Sequence, residues 1–136
     1  NGGNRCYYKP STDTIHMAPF DAFTGTLSYY SVLSHETTHW TGHLSRCDRD
    51  LTKGKFGDEK YAFEELVAEL GSAFLCAHLG LPNDCREDNA AYVAGWLKAL
   101  KDDKTAIFKA ASFAQRAVDW MIGQVETPVL LTMTAA

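Results

Sequence analysis

The chain has 136 residues, of which 46% are hydrophobic and 12% aromatic, and its formal net charge is −4. This length supports one globular domain with its own core and is short for two. The composition excludes an intrinsically disordered chain, and no apolar run approaches the roughly 18 residues that a membrane span needs. Because the net charge is negative, it gives no general attraction to nucleic acid, and any DNA contact has to be local.

The start of the chain shows neither an initiator methionine nor a secretory signal, and residues 1–4 read as a linker. We therefore expect a piece of a longer protein, in which residues 1–136 form a single domain. The four cysteines have no CxxC pair and no regular spacing, so reduced thiols in a cytosol are expected. A disulfide between Cys76 and Cys85 is the alternative.

Two short strands are predicted at residues 5–9 and 14–18, with the turn signal Pro10-Ser-Thr-Asp13 between them. Together they predict a β-hairpin. His16 lies in the second strand, where the alternation of side chains places it on the face opposite to its two neighbours. We expect a solvent-facing or cross-strand role for His16 rather than metal binding.

A helix is predicted from about residue 28, because apolar residues recur there at helical spacing. Within this helix His35 and His39 lie four residues apart, so their side chains share one face and can hold one metal ion. Neutral imidazoles suit zinc, and the pair leaves positions for a third protein ligand and a water. Glu36 lies between them and can take a proton from that water, which the metal acidifies. This is the HExxH arrangement of zinc peptidases.

Gly42 permits the backbone turn at the end of this helix, and His43 follows it. A related zinc pattern places a third histidine three residues after the glycine, but position 45 is a serine, so His43 does not supply the third ligand. Two interpretations of His43 remain. It lies near the metal and polarises a substrate carbonyl, or it is a surface or supporting histidine. For the two motif histidines, the alternative to metal binding is capping or packing.

Residues 44–60 have neither helical nor strand periodicity and predict a loop or flap. Its basic residues could meet a phosphate backbone; these are Arg46, Arg49, Lys53 and Lys55. Acidic residues are mixed among them, so a solvated loop is favoured over a nucleic-acid contact.

The helix predicted from residue 61 to about residue 79 has an apolar face, and Gly80 ends it. Glu65 and Glu69 lie four residues apart on another stripe, where two carboxylates repel each other unless a positive charge lies beside them. A zinc–histidine cluster supplies that charge. Glu65 would bind the metal, and Glu69 would accept the N–H of a ligating histidine. The alternative is an exposed acidic stripe that includes Glu64.

Two further helices are predicted at about residues 88–101 and 103–122, and their apolar stripes indicate a bundle core rather than a cofactor site. Residues 126–136 contain Pro128 and three threonines, and their sequence predicts no definite conformation. The elements together predict an α+β domain, in which a small antiparallel or mixed sheet packs on the HExxH helix beside about three further helices.

Three linked segments resemble the zincin-type metallopeptidase domain of the ArdC-like antirestriction proteins. They are His35-Glu-Thr-Thr-His-Trp-Thr-Gly-His43, then Phe56-Gly with Tyr61-Ala-Phe-Glu-Glu-Leu-Val-Ala-Glu-Leu-Gly71, and Ala91-Tyr-Val-Ala-Gly-Trp-Leu-Lys98. The resemblance spans about residues 3–122. It implies a zincin-like fold and a gluzincin-type site with one Zn²⁺ per chain, although another divalent ion could replace zinc. In such sites a glutamate on the following helix is the third ligand and an acid four residues later supports the ligands, which carries over to Glu65 and Glu69.

The resemblance also implies a bacterial cytoplasmic protein that is encoded on a plasmid, phage or other mobile element. In that family the domain normally follows an N-terminal domain that binds single-stranded DNA. The expected partners are therefore a protein or peptide substrate and, through the missing domain, single-stranded DNA, with no membrane. In zincin-like folds an edge strand beside the metal binds extended substrate by backbone pairing, and we expect residues 14–18 to be that strand.

Two functions from different classes are compatible with these residues. The first is a zinc endopeptidase that acts on proteins, including proteins bound to DNA. The second is a non-proteolytic antirestriction or DNA-associated module that keeps its metal for structure. Glu36 favours the first, because a purely structural site has no need of a carboxylate that is not a ligand. The sequence names neither the natural substrate nor the oligomeric state.

Overall fold

The computed structural model describes residues 4–51, 58–81, 89–101 and 103–135. These residues form two strands and four α-helices, in the order β1 (Tyr7–Lys9), β2 (Thr14–His16), α1 (Thr26–Thr41), α2 (Glu59–His78), α3 (Asn89–Ala99) and α4 (Lys104–Ala135), and a short 3-10 helix, Phe20–Ala22, precedes α1. The two strands make an antiparallel sheet that contacts α1, and α2 contacts the other three helices. The predicted α+β architecture, with one hairpin on the HExxH helix, is confirmed.

The hairpin pairs Tyr7 with His16 across the two strands. Their rings stack with centroids 4.6 Å apart, and both residues are exposed, which confirms the cross-strand role expected for His16. Each strand has three residues rather than the predicted five, because the flanking residues bond elsewhere. The N–H of Ala18, for example, donates to Cys6 Sγ at 3.3 Å instead of to a backbone carbonyl.

The central helix α2 has clear signals at both ends. Asp58 accepts a hydrogen bond from the Tyr61 N–H at 2.9 Å, and this cap starts the helix at Glu59, slightly earlier than predicted. Gly80 ends it as predicted, with a φ of +72° that favours glycine. The core lies between α2 and the last two helices, and its buried centre consists of Leu66, Val67, Ala110 and Ala114.

The buried face of α1 is polar. Ser34 donates its hydroxyl to the Tyr30 carbonyl at 2.7 Å and Thr38 donates to the Ser34 carbonyl at 2.8 Å, so neither needs a partner on another helix. The apolar residues whose spacing predicted α1 are only half-buried or exposed. The short side chains let α2 approach closely, since a Cβ on Gly71 would lie 2.5 Å from Thr38 Cγ2. This close approach sets the distance between the two helices.

Residues 42–51 fold back on α1 as a loop. Arg46 lies 3.8 Å over the Trp40 ring and forms an ion pair with Asp13 of the hairpin turn. The side chains of Arg46 and Arg49 are only 9% and 4% exposed, so the solvated loop predicted for these two residues is wrong. The mixed charges of this segment misled the prediction, because the acids that pair with both arginines come from other elements. Lys53 and Lys55 lie outside the described residues.

Gly42 has a φ of −72°, which any residue adopts, so the turn itself does not require glycine there. A Cβ at this position would lie 2.8 Å from Leu51 Cδ1 and 3.0 Å from Arg49 Nη2. Glycine therefore leaves space for the ends of the Leu51 and Arg49 side chains, which would have to shift for a Cβ. The predicted role in chain reversal is corrected to a role in close packing.

The helix α4 continues to Ala135, whereas the sequence predicted an end near residue 122. Gly123 lies inside α4 with open space around it and does not cap the helix. A proline within a long helix removes one backbone hydrogen bond and bends the axis, so Pro128 need not end it.

None of the helices in the described ranges combines the length and the hydropathy of a membrane span. Cys6 and Cys47 are free thiols. Cys85 lies outside the described residues, so the alternative disulfide between Cys76 and Cys85 stays a prediction.

Candidate metal centre

Three side chains from two helices converge on one point: His35 and His39 from α1, and Glu65 from α2. His35 Nε2 lies 3.3 Å from Glu65 Oε2, and His39 Nε2 lies 3.1 Å from Glu65 Oε1. The two Nε2 atoms are 3.2 Å apart. Helical spacing brings the histidines onto one face of α1, and the close approach at Gly71 brings the carboxylate of α2 to them.

The three side chains lie close enough together to share one metal ion. Ligand atoms about 2.0–2.1 Å from a tetrahedral ion lie about 3.3 Å from one another. The distances from the two Nε2 atoms to Glu65 end on different oxygens of its carboxylate, and one ligand atom from each of the three residues lies within 4.8 Å of the other two. The three donors are therefore close enough to share one ion. Two imidazoles and a carboxylate are also ligands that zinc and related divalent ions accept.

The outer nitrogen of each ring contacts a second carboxylate. His35 Nδ1 lies 3.1 Å from Glu69 Oε1, and His39 Nδ1 lies 3.2 Å from Glu64 Oε1. When Nδ1 carries the proton and donates it to a carboxylate, Nε2 keeps a lone pair for an ion. Both rings are therefore held with the correct nitrogen towards the point of convergence.

The same contacts shift the pKa values of the metal-free cluster. Burial alone lowers the pKa of His39, but hydrogen bonds to Glu64 and Glu65 outweigh burial and raise the pKa to about 10. The pKa of His35 is also raised, since its bonds to Glu65 and Glu69 outweigh burial. Burial raises the pKa of the Glu65 carboxyl, but the two histidines outweigh it and hold that pKa well below its usual value. The protonated His39 ring thus lies between the carboxylates of Glu64 and Glu65.

Glu36 lines the same cavity but is not one of the three converging groups in the described part of the chain. The residue is only 7% exposed, and the backbone N–H of Tyr8 donates a hydrogen bond to its carboxylate. Burial raises the pKa of the Glu36 carboxyl, and the charges of His39 and His35 oppose that shift. A carboxylate whose pKa is raised towards neutrality is suited to accept a proton and return it.

The cluster opens into a cavity of about 990 Å³. Residues 5–8 and Pro10 of the hairpin line this cavity, and Tyr61 of α2 lines it as well. Residues 14–18 do not line this cavity in the described structure, so the strand beside the site is β1 rather than the predicted second strand. The direction of the hairpin explains this correction, because the edge of β1 that faces away from β2 bonds to Glu36 through Tyr8.

Tyr61 is an addition that the sequence did not indicate. Burial and the neighbouring Glu65 carboxylate, to which its hydroxyl bonds, raise its pKa to about 12, so the hydroxyl remains protonated at neutral pH.

His43 accepts a hydrogen bond at Nδ1 from the Ser45 N–H at 3.2 Å, and its Nδ1 also lies 2.8 Å from the Ser45 hydroxyl. It is not among the residues of the described structure that line the cavity.

Glu64 and Arg49 were also missed as members of the site. Glu64 is half-buried rather than part of an exposed acidic stripe, and Arg49 bonds to its carboxylate. A sequence signal for Glu64 existed in its position next to Glu65 on a helix whose other faces are buried. No local signal exists for Arg49, since its contact with Glu64 joins residues 15 positions apart across a loop of mixed charge.

Comparisons with known proteins agree with this geometry. Residues 1–113 match the zincin-like metallopeptidase family. The chain is 49% identical to the protein y4eC of Sinorhizobium fredii over 124 residues, which are 91% of this chain and 40% of y4eC. It is 45% identical to the DNA primase TraC of Escherichia coli over 119 residues, which are 88% of this chain and 11% of TraC. The chain thus spans less than half the length of either relative.

Two crystal structures of the antirestriction protein ArdC from plasmid R388 share the fold. The Mn(II)-bound structure is 52% identical with a TM-score of 0.71, and the match covers 88% of this chain and 44% of ArdC. The metal-free structure is 50% identical with a TM-score of 0.70, and the match covers 90% of this chain and 44% of ArdC. The resemblance inferred from the three sequence segments is confirmed.

Proposed function

Because the chain belongs to the zincin-like metallopeptidase family, we propose that it hydrolyses peptide bonds in proteins with the help of a bound divalent ion. The observation that carries the proposal is the convergence of His35, His39 and Glu65 beside a carboxylate, Glu36, that is not one of the converging groups. In a structural metal site all the ligands of the ion come from the protein, so a nearby carboxylate that is not a ligand, such as Glu36, would have no function there.

In this proposal His35, His39 and Glu65 hold the ion, and Zn²⁺ is our choice because two imidazoles and one carboxylate form a common catalytic zinc set. When bound, the ion supplies a Lewis acid that acidifies water and polarises a carbonyl group. Glu69 and Glu64 keep the two rings oriented through their contacts with Nδ1. His43 stays a candidate for a supporting role.

Glu36 acts as the proton carrier. Its carboxylate takes a proton from the attacking water and returns it to the nitrogen of the leaving amine. The Tyr8 N–H fixes the carboxylate through one hydrogen bond, which limits the orientations that Glu36 can adopt. Tyr61 lines the same cavity, keeps its hydroxyl proton at neutral pH and bonds to the Glu65 carboxylate, which helps to hold that carboxylate in place.

A role in the handling of DNA is the second candidate, and the names of the relatives favour it. One relative is an antirestriction protein and another is a DNA primase, both far longer than this chain. We propose that residues 1–136 are one domain of a longer cytoplasmic protein from a mobile element, in which another domain binds single-stranded DNA. The domain would then act on proteins at that DNA, or protect the DNA without cleaving anything.

The test compares the purified protein with its Glu36→Gln variant on candidate proteins, with and without single-stranded DNA. The variant should keep its fold and its metal but lose hydrolysis by a factor of at least about 10², the lower end of what a positioned acid–base group contributes. Asp119→Asn is the matched control, because it also removes one carboxylate, from the exposed face of α4, and it should keep full activity.

The two candidate functions give different results in this experiment. An unmutated protein that cleaves no substrate, while the Glu36→Gln variant of the longer protein still protects DNA in cells, would contradict the peptidase proposal and support the DNA-associated module. Hydrolysis that the Glu36→Gln variant retains in full would assign the activity to another group.

A further inference from the structure

Arg49 makes more contacts than a surface arginine needs. Its Nε donates to Glu64 Oε2 at 3.0 Å and its Nη2 donates to Glu64 Oε1 at 2.8 Å, so it grips both oxygens of one carboxylate. The same guanidinium donates to the Thr38 carbonyl at 2.6 Å and to the Thr41 hydroxyl at 2.9 Å. Arg49 belongs to the loop after α1, and its guanidinium forms hydrogen bonds with both α1 and Glu64 of α2.

Glu64 connects Arg49 to the metal centre, because its carboxylate contacts both Arg49 and His39. The oxygen that accepts from Arg49 Nη2 is also the oxygen 3.2 Å from His39 Nδ1. We propose that Arg49 is a positioning residue of the metal centre, which holds Glu64 against the outer nitrogen of His39 and thereby sets the affinity for the ion. This inference deepens the proposed function and rests on its metal site.

A guanidinium suits this task because it is planar and presents two N–H groups in a fixed fork that matches a carboxylate. With both oxygens of Glu64 engaged, that residue is kept from competing with its neighbour Glu65 for the ion. A lysine could supply the charge but not the fork. The chain keeps room for the arginine by having glycine at position 42, where a Cβ would lie 3.0 Å from Arg49 Nη2.

The experiment measures the affinity of the purified protein for Zn²⁺ in competition with a coloured chelator, and the absorption spectrum of the Co²⁺ form, without any substrate. Arg49→Gln and Glu64→Gln should each weaken Zn²⁺ binding by about 10–100-fold, the usual effect of removing a partner of a metal-bound histidine. Both variants should also alter the Co²⁺ spectrum, because the ring of His39 loses its orientation.

The double variant Arg49→Gln/Glu64→Gln separates positioning from general stability. If Arg49 acts through Glu64, the double variant should bind Zn²⁺ no more weakly than Glu64→Gln alone, because the second change has nothing left to disturb. Losses that add in the double variant would overturn the proposal. So would an Arg49→Gln protein that folds and keeps the affinity and the Co²⁺ spectrum of the unmutated chain.

Arg46→Gln is the matched control, because Arg46 lies in the same loop, is similarly buried and forms its own ion pair, with Asp13. Its Zn²⁺ affinity should change by less than about twofold, and a loss equal to that of Arg49→Gln would overturn the proposal. If Arg49→Gln does not fold, Arg49→Lys replaces it, and unchanged affinity in that variant would overturn the proposal as well.

The readout also separates this inference from the proposed function. An unmutated protein that binds no Zn²⁺ would contradict both. A protein that binds Zn²⁺ with the expected coupling of Arg49 and Glu64 but hydrolyses no peptide would contradict the peptidase proposal and leave the positioning role standing.

Discussion

His39 of the cluster carries a proton that an ion has to displace. The pKa of His39 is raised to about 10, so its ring is protonated at neutral pH in the metal-free protein, and the pKa of His35 is raised in the same direction by its bonds to Glu65 and Glu69. A metal ligand must present a lone pair, and the proton bound at Nε2 of His39 therefore leaves when the ion binds. Glu65, whose pKa is lowered, has no proton to release.

We therefore expect Zn²⁺ binding at pH 7 to release about one proton from His39. The release of this proton should raise the affinity by about tenfold per pH unit as long as the pH is below the pKa of His39, and the affinity should fall as the pH is lowered. Titration calorimetry in buffers of different ionisation enthalpy measures the number of protons. A heat of binding that is independent of the buffer would contradict the prediction.

The residues of the site differ in how far the sequence could predict them. His35, Glu36 and His39 follow from helical spacing alone, and the structure places them around one cavity. The spacing of Glu65 and Glu69 pointed to the same cluster, which the structure brings together with the histidines. The role of Arg49 could not be predicted, because its contact with Glu64 depends on how the loop folds and not on a periodic spacing in the sequence.

At the scale of helices, the contact between α1 and α2 depends on a missing side chain. A Cβ on Gly71 would lie 2.5 Å from Thr38 Cγ2 and 2.7 Å from Thr38 Oγ1, and Thr38 is fully buried. We expect Gly71→Ala to lower the free energy of unfolding by about 1–3 kcal/mol, since overpacking outweighs the better helix propensity of alanine. Denaturant unfolding measures the change.

Gly95→Ala is the control for this prediction, because Gly95 lies within α3 with no atom near its would-be Cβ. Alanine there should raise the free energy of unfolding by up to about 1 kcal/mol through helix propensity alone. The two substitutions are chemically identical and should have opposite signs. Destabilisation of similar size at both positions would show that the close contact at Gly71 is not the cause.

The elements were predictable where the chain carries a local signal and were misjudged where it does not. The end of α2 was predictable because Gly80 adopts a positive φ that few other residues tolerate. The length of α4 was not, because Pro128 suggests an end that a long helix can bypass. The strand beside the site was misassigned, since alternation predicts a hairpin but does not say which of its edges turns towards α1.

At the scale of the whole molecule, the ion would link α1 to α2 through ligands from both helices. Anything that binds only the folded state stabilises it, by about 2.7 kcal/mol at a free concentration 100 times the Kd. For a domain of this length we expect Zn²⁺ at that concentration to raise Tm by roughly 10 °C. Thermal unfolding with Zn²⁺ and with a chelator gives the difference.

A double variant, His35→Ala/His39→Ala, is the control for this effect. It removes two of the three converging donors, so its Tm should be the same in Zn²⁺ and in chelator. An equal rise in Tm for the double variant would place the ion elsewhere on the protein and would contradict the ligand set.

The contact between Thr38 and Gly71 has a consequence for protein engineering. Copying the five residues of the motif onto a helix of another protein would transfer two histidines and a glutamate, but not the separation of the second helix. Ordinary helix pairs lie about 8–10 Å apart, at a distance set by the side chains between them. Larger side chains at this contact would hold the carboxylates of α2 away from the imidazoles. The smallest portable unit is therefore a pair of helical segments, about residues 31–42 and 64–72, rather than a short motif.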